Sequence, residues 1–261
     1  MTMMTAFTAI VSALELPSRA RVDARVPKKI LVEQGAPTPA DKRAIQDGID
    51  EMQWLAALKP NTVAIPAFTD QIHDYSEIAV IAAAFRPEAR ATRLTELIHR
   101  AIPYPVLLIS KGIGGFAVSV APKRAAQNIG DKVVVERVVI AGDIDPNAPP
   151  AVEGAFLASL ALEQQPARDL STVYDGWLVR IEALAAARLS GSYEIKDESG
   201  LIDRRRMALE EHARLAREAA QLRARAARAK QISQRVDLNQ KIKAIETAMD
   251  RNKKLMQGDG A

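Results

Sequence analysis

The sequence contains no cysteine, which excludes disulfide bridges, thiolate metal sites, iron–sulfur clusters and cysteine nucleophiles. Aromatic residues make up only 4% of the chain, so the core must be built mainly from alanine, valine, isoleucine and leucine. No apolar run approaches the ~18 residues of a membrane-spanning helix, and the N-terminus lacks the basic region of a signal peptide. These features predict a folded cytoplasmic protein.

Lysine and arginine are concentrated toward the C-terminus, and the charge of the chain is therefore uneven. Between Ile202 and Gln257 there are fifteen Lys or Arg and seven Asp or Glu residues, a net charge of +8. The whole chain carries +4, so the remaining residues carry −4. This asymmetry indicates an acidic partner for the C-terminal segment, either nucleic acid or another protein.

The stretch from Leu94 to Val120 predicts the centre of an α/β domain. Apolar residues recur at helical spacing from Thr92 to Ala101, and Tyr104 to Ser110 is a continuous apolar run typical of a buried strand. A glycine-rich turn then leads into the alternating pattern of Phe116 to Val120, which predicts a hairpin.

The flanking segments predict the rest of this domain. Apolar spacing predicts one helix from Pro39 to about Leu58, and the residues from Thr62 to Ile65 predict a short strand. Tyr75 to Phe85 predicts a strand buried on both faces, and Lys132 to Ile140 predicts an edge strand. An amphipathic helix bearing Phe7, Ile10, Val11 and Leu14 is expected to dock on the domain.

Linker composition divides the chain. The segments 143–150 and 190–200 are rich in proline, glycine and polar residues, and helical patterns occupy 151–163 and 175–189. We therefore expect an α/β domain at 1–146, a helical subdomain and linker at 147–200, a basic helical coil at 201–257, and a disordered tail at 258–261.

The coil has no proline or glycine from Ile202 to Met256 and would be roughly 80 Å long as one helix. Two heptad-like apolar seams occur, and their registers do not join across Ile232 to Val236, which indicates either a stutter or a hairpin of two helices. The first seam is alanine-rich and needs a partner in cis or in trans. The expected partner-binding residues lie on the second seam: Leu238, Ile242, Ile245 and Met249.

Basic residues form two candidate nucleic-acid-binding sets. The first set lies near the N-terminus and comprises Arg19, Arg21, Arg25, Lys28 and Lys29. The second lies in the coil and comprises Arg204, Arg205, Arg206, Arg223, Arg225 and Arg228. Either set can contact phosphates or form a solvated face, and the coil has no aromatic residue for stacking on single-stranded bases. A protein partner is therefore favoured for the coil over nucleic acid, with an inert spacer as the remaining alternative.

No catalytic, metal-binding or cofactor-binding constellation emerges from the sequence. Gly112, Gly114 and Gly115 do not match the dinucleotide-binding fingerprint, because the last glycine of that motif is missing and a strand follows instead of a helix. A hairpin turn is therefore favoured over a phosphate-binding loop. The three histidines have no carboxylate or second histidine at ligand spacing, and the Asp143–Asn147 loop lacks the glycine and glutamate of a calcium loop. One class of nuclease has an Asp on one strand and a Glu-x-Lys motif on the next. Asp70 and Glu77 could supply the two carboxylates, but Ala79 stands where the lysine should be.

Several motifs, taken in order, resemble an uncharacterised prokaryotic family, domain of unknown function 4391. They are LPSRARVDARVPKKIL, LKPNTVAI, YSEIAVIAAAFR, LIHRAIPYPVLLISK, VYDGWLVRI and, near the C-terminus, ARAKQISQRVDLNQKIKAIE. The resemblance covers about Leu14 to Leu255. It implies a place among restriction–modification and antiviral defence gene clusters, beside helicases and DNA methyltransferases, and it brings no catalytic residues. The coil is richer in Ala and Arg than the Lys/Glu-rich coils expected of the family.

The sequence thus predicts an α/β (α+β) protein with a mixed sheet of about five strands, flanking helices, a helical subdomain and a C-terminal helical coil. The expected function is a non-catalytic accessory or adaptor subunit of a defence complex that binds a helicase or DNA methyltransferase through the coil. The alternative is a direct DNA-binding subunit that uses the two basic sets, and a cryptic nuclease is a lesser one. Self-association through the coil is also open, and no cofactor is expected.

Overall fold

The computed structural model describes residues 3–125, 133–196 and 198–257. The chain divides into two compact units, Met1–Ile181 and Glu182–Ala261. The boundary lies inside a long helix, so it differs from the boundaries at 146 and 200 that composition indicated. The expected disordered tail, 258–261, lies outside the described residues.

Nine α-helices occur in the described ranges: α1 (Met3–Ala13), α2 (Lys28–Gly35), α3 (Pro39–Gly48), α4 (Pro60–Val63), α5 (Ala91–Ala101), α6 (Ala151–Ala158), α7 (Leu170–Ser190), α8 (Ser199–Arg228) and α9 (Ile232–Gln257). The strands are β1 (Arg21–Arg25), β2 (Ile49–Leu58), β3 (Phe68–Thr69), β4 (Asp74–Tyr75), β5 (Ile78–Phe85), β6 (Val106–Gly112), β7 (Gly115–Val120), β8 (Lys123–Ala125), β9 (Val133–Val135) and β10 (Val139–Ile144).

Six of the strands form one mixed sheet in the order β1-β2-β5-β6-β7-β10. β5 and β6 are parallel and are joined through α5, whereas the other neighbours pair antiparallel. The mixed α/β class is confirmed, as are the helix at α5 and the hairpin of β6 and β7. The strand predicted from Tyr75 to Phe85 is confirmed from Ile78 onward as β5, which is buried except at Ala84, whereas Tyr75 belongs to β4.

The core lies on both faces of this sheet. On one face, α2, α3 and α5 pack leucine and isoleucine side chains against Ile81 and Phe85 of β5 and Val106 and Leu108 of β6. On the other face, the buried Phe7 of α1 makes an edge-to-face contact with Phe116 of β7, with ring centroids 5.2 Å apart. The expected docking of the N-terminal helix is therefore confirmed.

The predicted helix from Pro39 to Leu58 is wrong in its second half. The helix ends at Gly48, and Ile49 begins β2, which lies between β1 and β5. The register of β2 against β5 shifts twice, between Ile49 and Glu51 and between Trp54 and Ala56. Each bulge adds a residue to the alternation, so Ile49, Met52 and Leu55 are buried at intervals of three, which imitate a helical period.

Two strand predictions also need correction. Thr62 to Ile65 is not a strand, because Pro60–Val63 forms one helical turn in which the Thr62 hydroxyl accepts a hydrogen bond from Lys59 N–H (2.8 Å). The predicted strand 132–140 is two strands, β9 in a small sheet with β8 and β10 at the edge of the main sheet. Lys132 lies outside the described residues.

His99 of α5 is buried, with Nε2 2.9 Å from the Ser119 hydroxyl, and burial lowers its pKa well below the usual 6.5, with nearby Lys123 contributing. Below pH 6.5 the unfolded chain takes up a proton that the folded chain does not, so stability should fall as pH falls. His99→Gln should remove up to about 1.4 kcal/mol per pH unit of this acid dependence. Urea unfolding at several pH values measures it, and equal acid slopes in both proteins would contradict the assignment.

Candidate nucleic-acid interface

The C-terminal helices α8 and α9 form an antiparallel hairpin. The inward positions of α8 follow a 3-4 spacing from Arg205 to Ala226, and Leu222 and Ala226 pack against Leu238 and Ile242 of α9. The turn at 229–231 contains no glycine or proline. In the hairpin, the apolar seam of α8 packs against the apolar seam of α9, although the two seams are out of register along the chain. The coil is therefore a hairpin and not a single helix with a stutter.

The seam expected to bind a partner lies inside this hairpin. Leu238 and Ile242 are buried in the cluster with Leu222 and Ala226, Ile245 packs at its edge, and Met249 is half-buried. These side chains already have an apolar partner in cis. A partner protein would therefore contact them only after the hairpin had opened.

We define the hairpin tip as residues 219–236, and its charge is entirely positive. The tip carries five Lys or Arg residues and no Asp or Glu, so it holds most of the hairpin's net charge. All five are exposed: Arg223, Arg225, Arg228, Lys230 and Arg235. Arg223 donates to Glu246 at 2.7 Å. The other four form no ion pair within the described part of the chain, and we call them the free tip cations.

The longer remainder of the hairpin carries ten Lys or Arg and seven Asp or Glu residues, a net charge of only +3. Arg214 binds Glu211 at 2.7 Å and Glu218 at 3.1 Å, and Lys253 binds Asp250 at 3.3 Å. Such exposed pairs contribute little to stability, but they cancel the local field. The positive potential of the hairpin is therefore concentrated at its tip.

The three consecutive arginines at the start of α8 do not form the expected exposed set. Arg204 is exposed and its Nε donates to Gly200 O at 3.2 Å, whereas Arg206 donates to Glu182 at 3.1 Å and Asp203 at 3.3 Å. Arg205 is only 4% exposed, because it occupies the first inward position of the α8 seam, and burial lowers its pKa. A guanidinium in that position does not reach a phosphate in solvent, so the prediction for Arg205 is wrong.

The N-terminal basic set lies in the first unit and is partly engaged. Arg19 Nε donates to Thr62 O at 2.6 Å, Lys28 Nζ donates to Gln46 O at 3.1 Å, and Lys29 lies 3.7 Å from Glu33. Arg21 and Arg25 are exposed on β1, the edge strand of the main sheet. Within the described residues, two of the five are therefore unpaired on the edge strand, compared with four of five at the hairpin tip.

Sequence spacing missed a carboxylate–histidine pair. His73 Nδ1 lies 3.0 Å from Asp70 Oδ2, and Asp70 Oδ1 also accepts from the Ile72 and His73 backbone N–H groups. These bonds, led by that from His73, hold the pKa of Asp70 at about 2. The pair borders a cleft of about 370 Å³ with Lys123, whose Nζ donates to the Ile102 and Tyr104 carbonyls. In the described ranges, no three His, Asp or Glu residues are grouped to hold a metal. The pair closes a turn.

In the structure, Glu77 of the nuclease pattern has a lysine partner that the sequence motif did not identify. Glu77 lies just before β5, and its Oε2 is 2.8 Å from Lys59 Nζ at the end of β2. This ion pair raises the pKa of Lys59, chiefly through the hydrogen bond to Glu77. A lysine that directly follows β2 thus pairs with Glu77, although Ala79 occupies the position of the lysine in the motif.

Two tip residues, Lys230 and Arg235, were absent from the sequence-based set. The signal that identifies them is readable in the sequence: no acidic residue occurs between Glu218 and Asp237. These residues come close to the arginines at the end of α8 only because the chain turns at 229–231, which brings Arg235 back beside α8.

The fold and this surface together define an α/β domain protein that carries a C-terminal helical hairpin with a basic tip. The chain belongs to the family described as Domain of unknown function (DUF4391), whose model matches residues 14–249. No curated protein and no solved structure matches the chain. No helix in the described ranges is long and apolar enough to cross a membrane.

Proposed function

We propose that this protein is a non-catalytic, nucleic-acid-binding accessory subunit of a cytoplasmic prokaryotic defence complex, and that its hairpin tip contacts the phosphate backbone. The observation that carries the binding proposal is the concentration of exposed cations in the hairpin tip without a single carboxylate. The defence setting rests on the family resemblance alone.

The arrangement suits phosphate contact better than specific base reading. Four free cations at one end of a stiff hairpin can meet neighbouring phosphates without first breaking internal ion pairs. Arginine and lysine neutralise phosphates and release condensed counterions, which gives affinity without sequence preference. The tip has no aromatic residue, so stacking on single-stranded bases adds nothing and duplex DNA is the expected target.

The test is fluorescence anisotropy of a labelled duplex titrated with the full chain at several salt concentrations. A tip variant changes Arg225, Arg228, Lys230 and Arg235 to Gln. Four phosphate contacts predict a slope of about −3.6 in log affinity against log salt, so wild-type affinity should fall about 150-fold between 50 and 200 mM. The tip variant should lose most of the affinity and this slope.

A matched control removes the same charge from the rest of the hairpin. It changes Arg217, Lys241, Lys243 and Arg251 to Gln, all of which are exposed. If binding depends on the tip, the control retains most of the wild-type affinity. Equal losses in the two variants would mean that only net charge matters, and the proposal for the tip would fall.

A second candidate, the adaptor function, is favoured by apolar side chains left exposed at the tip. Ile232 is 72% exposed and Val236 is also exposed, and both lie in the first turns of α9 beside Arg235. An apolar pair flanked by cations fits a partner protein with an acidic rim around an apolar patch. In this alternative, a helicase or DNA methyltransferase of the complex holds the tip.

Retrieval of tagged chain from its native cells, with and without nuclease, separates the two functions. In the adaptor case, a helicase or methyltransferase identified by mass spectrometry co-purifies after nuclease treatment and is lost with Ile232→Ser/Val236→Ser. If nuclease treatment abolishes co-purification, nucleic acid is the bridge and the direct-binding proposal stands alone.

A further inference from the structure

A crevice of about 240 Å³ opens on the main sheet where the parallel strands β5 and β6 end and helix α5 begins. Such a junction, at the carboxyl ends of parallel strands, is where α/β proteins commonly hold ligands. The crevice belongs wholly to the first unit. It is lined by the strand ends, the first turns of α5 and the β6–β7 turn.

The N-terminus of α5 enters this crevice without a protein cap. Arg90 at the N-cap position makes no side-chain hydrogen bond to the helix, and the first turn contains no acidic residue. Leu94 N–H bonds to Arg90 O, and the N–H groups before Leu94 have no intrahelical acceptor. Ala91 and Thr92 line the crevice, so the positive end of the helix dipole faces it.

Two buried hydroxyls supply the second and independent observation. Thr95 of α5 is 3% exposed and Ser110 of β6 is 4% exposed, and both line the same crevice. Neither hydroxyl is hydrogen-bonded to any residue in the ranges that the structure describes, and neither oxygen is among the side-chain atoms closed off from solvent without a partner, so both can be reached from the crevice. Two unpartnered hydroxyls that face the same crevice beside uncapped N–H groups can both donate to an acceptor bound there.

The charged residues at the rim do not by themselves decide whether the ligand is an anion or a cation. Arg86 lines the crevice, and its Nε lies 3.7 Å from Asp50. Asp143 also lines it, with its carboxylate over the β6–β7 turn, where a Cβ on Gly114 would lie 2.7 Å from Asp143 Oδ1. Asp50 offsets the charge of Arg86, and Asp143 adds a negative charge that opposes an anion. The case for an acceptor ligand therefore rests on the N–H and hydroxyl donors.

We infer that this crevice binds the phosphate group of a small phosphorylated ligand. The first-turn N–H groups of α5 and the hydroxyls of Thr95 and Ser110 donate to the phosphate oxygens, with Arg86 at the rim. The lining is otherwise largely apolar, with Phe85, Ala89 and Ile140 among its residues, and the volume admits a phosphate with a small attached group. The site needs no contribution from the hairpin tip.

Isothermal titration of the full chain with inorganic phosphate, at fixed ionic strength, tests the inference. Thr95→Val and Ser110→Ala should each weaken binding about tenfold, because each removes a hydrogen bond to a charged group. Thr95→Ser keeps the hydroxyl and should retain wild-type affinity. Thr69→Val, an exposed threonine outside the crevice, is the matched control. Asp143→Asn removes the opposing charge and should tighten binding.

Two readouts keep folding defects apart from binding defects. Since the Thr95 hydroxyl has no partner, Thr95→Val should leave the melting temperature unchanged or raise it; a lower value would mean that the hydroxyl serves the fold and would overturn the inference. The inference also fails if wild-type protein binds no phosphate up to about 10 mM, beyond the weak end of specific binding. If Asp143→Asn bound phosphate more weakly, the carboxylate would be helping the ligand to bind, the ligand would not be an anion, and the inference would be overturned.

Parallel titrations identify the source of the phosphate. The probes are inorganic phosphate, adenosine monophosphate, and a short oligonucleotide with and without a 5′-phosphate. Tighter binding of the monophosphate indicates a nucleotide, whereas a preference for the 5′-phosphorylated strand indicates a nucleic-acid end. The free-tip-cation variant should bind inorganic phosphate as wild type does, so failure of the tip proposal and failure of this one are distinguishable.

Discussion

Changing Leu238 and Ile242 together to alanine should destabilise the α8–α9 hairpin by about 4 kcal/mol, since each buried aliphatic side chain typically contributes 2 kcal/mol or more. Both side chains pack against Leu222 and Ala226 in the hairpin's apolar cluster. The stabilisation of a two-helix hairpin comes from such packing, and the alanine-rich seam of α8 offers little area to replace it. Amide hydrogen exchange in α9 should accelerate about a thousandfold.

The matched control for this prediction lies on the same helix. Ile232 and Val236 are exposed, and changing both to alanine should leave exchange in α9 almost unchanged. If the Leu238/Ile242 variant kept wild-type protection, the seam would not hold the hairpin together and would be available to a partner after all. Any loss of partner binding by the seam variant reflects an opened hairpin, which is why surface residues of the tip serve as the functional probes.

Tyr174→Phe should lower the free energy of unfolding of the first unit by about 3 kcal/mol, because it removes one oxygen atom and leaves two backbone groups without partners. The buried Tyr174 hydroxyl accepts from Ala121 N–H at 2.7 Å and donates to Val106 O at 2.9 Å. These groups lie at the end of β7 and the start of β6. One side chain of α7 thus ties that helix to two strands of the sheet.

Tyr104→Phe is the control, because Tyr104 is exposed and its hydroxyl makes no hydrogen bond within the described ranges. Urea denaturation followed by circular dichroism gives both values. Equal stabilities of the two variants would contradict the bridging role of Tyr174. A loss in Tyr174→Phe alone would show that the segment after residue 146 stabilises the sheet, although composition marks that segment off as a separate region.

Several elements of the fold were readable from local pattern alone. The continuous apolar runs of β5 and β6 identified strands buried on both faces, and the helical spacing of Leu94, Leu97 and Ile98 identified α5. Each of these elements has one dominant environment, so its period is uninterrupted. β2 was misassigned because two bulges broke its alternation and gave Ile49, Met52 and Leu55 a helical spacing.

Composition also gave the charge of the C-terminal segment without giving its shape. The scarcity of carboxylates from Ala219 to Val236 is a property of the sequence, and it predicts a basic surface in any fold. Which arginines belong to that surface depends on the seam. Arg205 has the same chemistry as Arg204, but it occupies an inward position of α8, and only the packing of the hairpin separates the two.

The sequence by itself determined the α/β class, the helical character of the C-terminal segment and the sign of its charge, because these follow from local periodicity and composition. Tertiary structure decided that the coil folds back as a hairpin, that Lys230 and Arg235 join Arg225 and Arg228 at one tip, and that Thr95 and Ser110 line one crevice at the start of α5. These features depend on residues distant in the chain coming together, and the free energy that brings them together arises from burial across the whole fold rather than from any single segment.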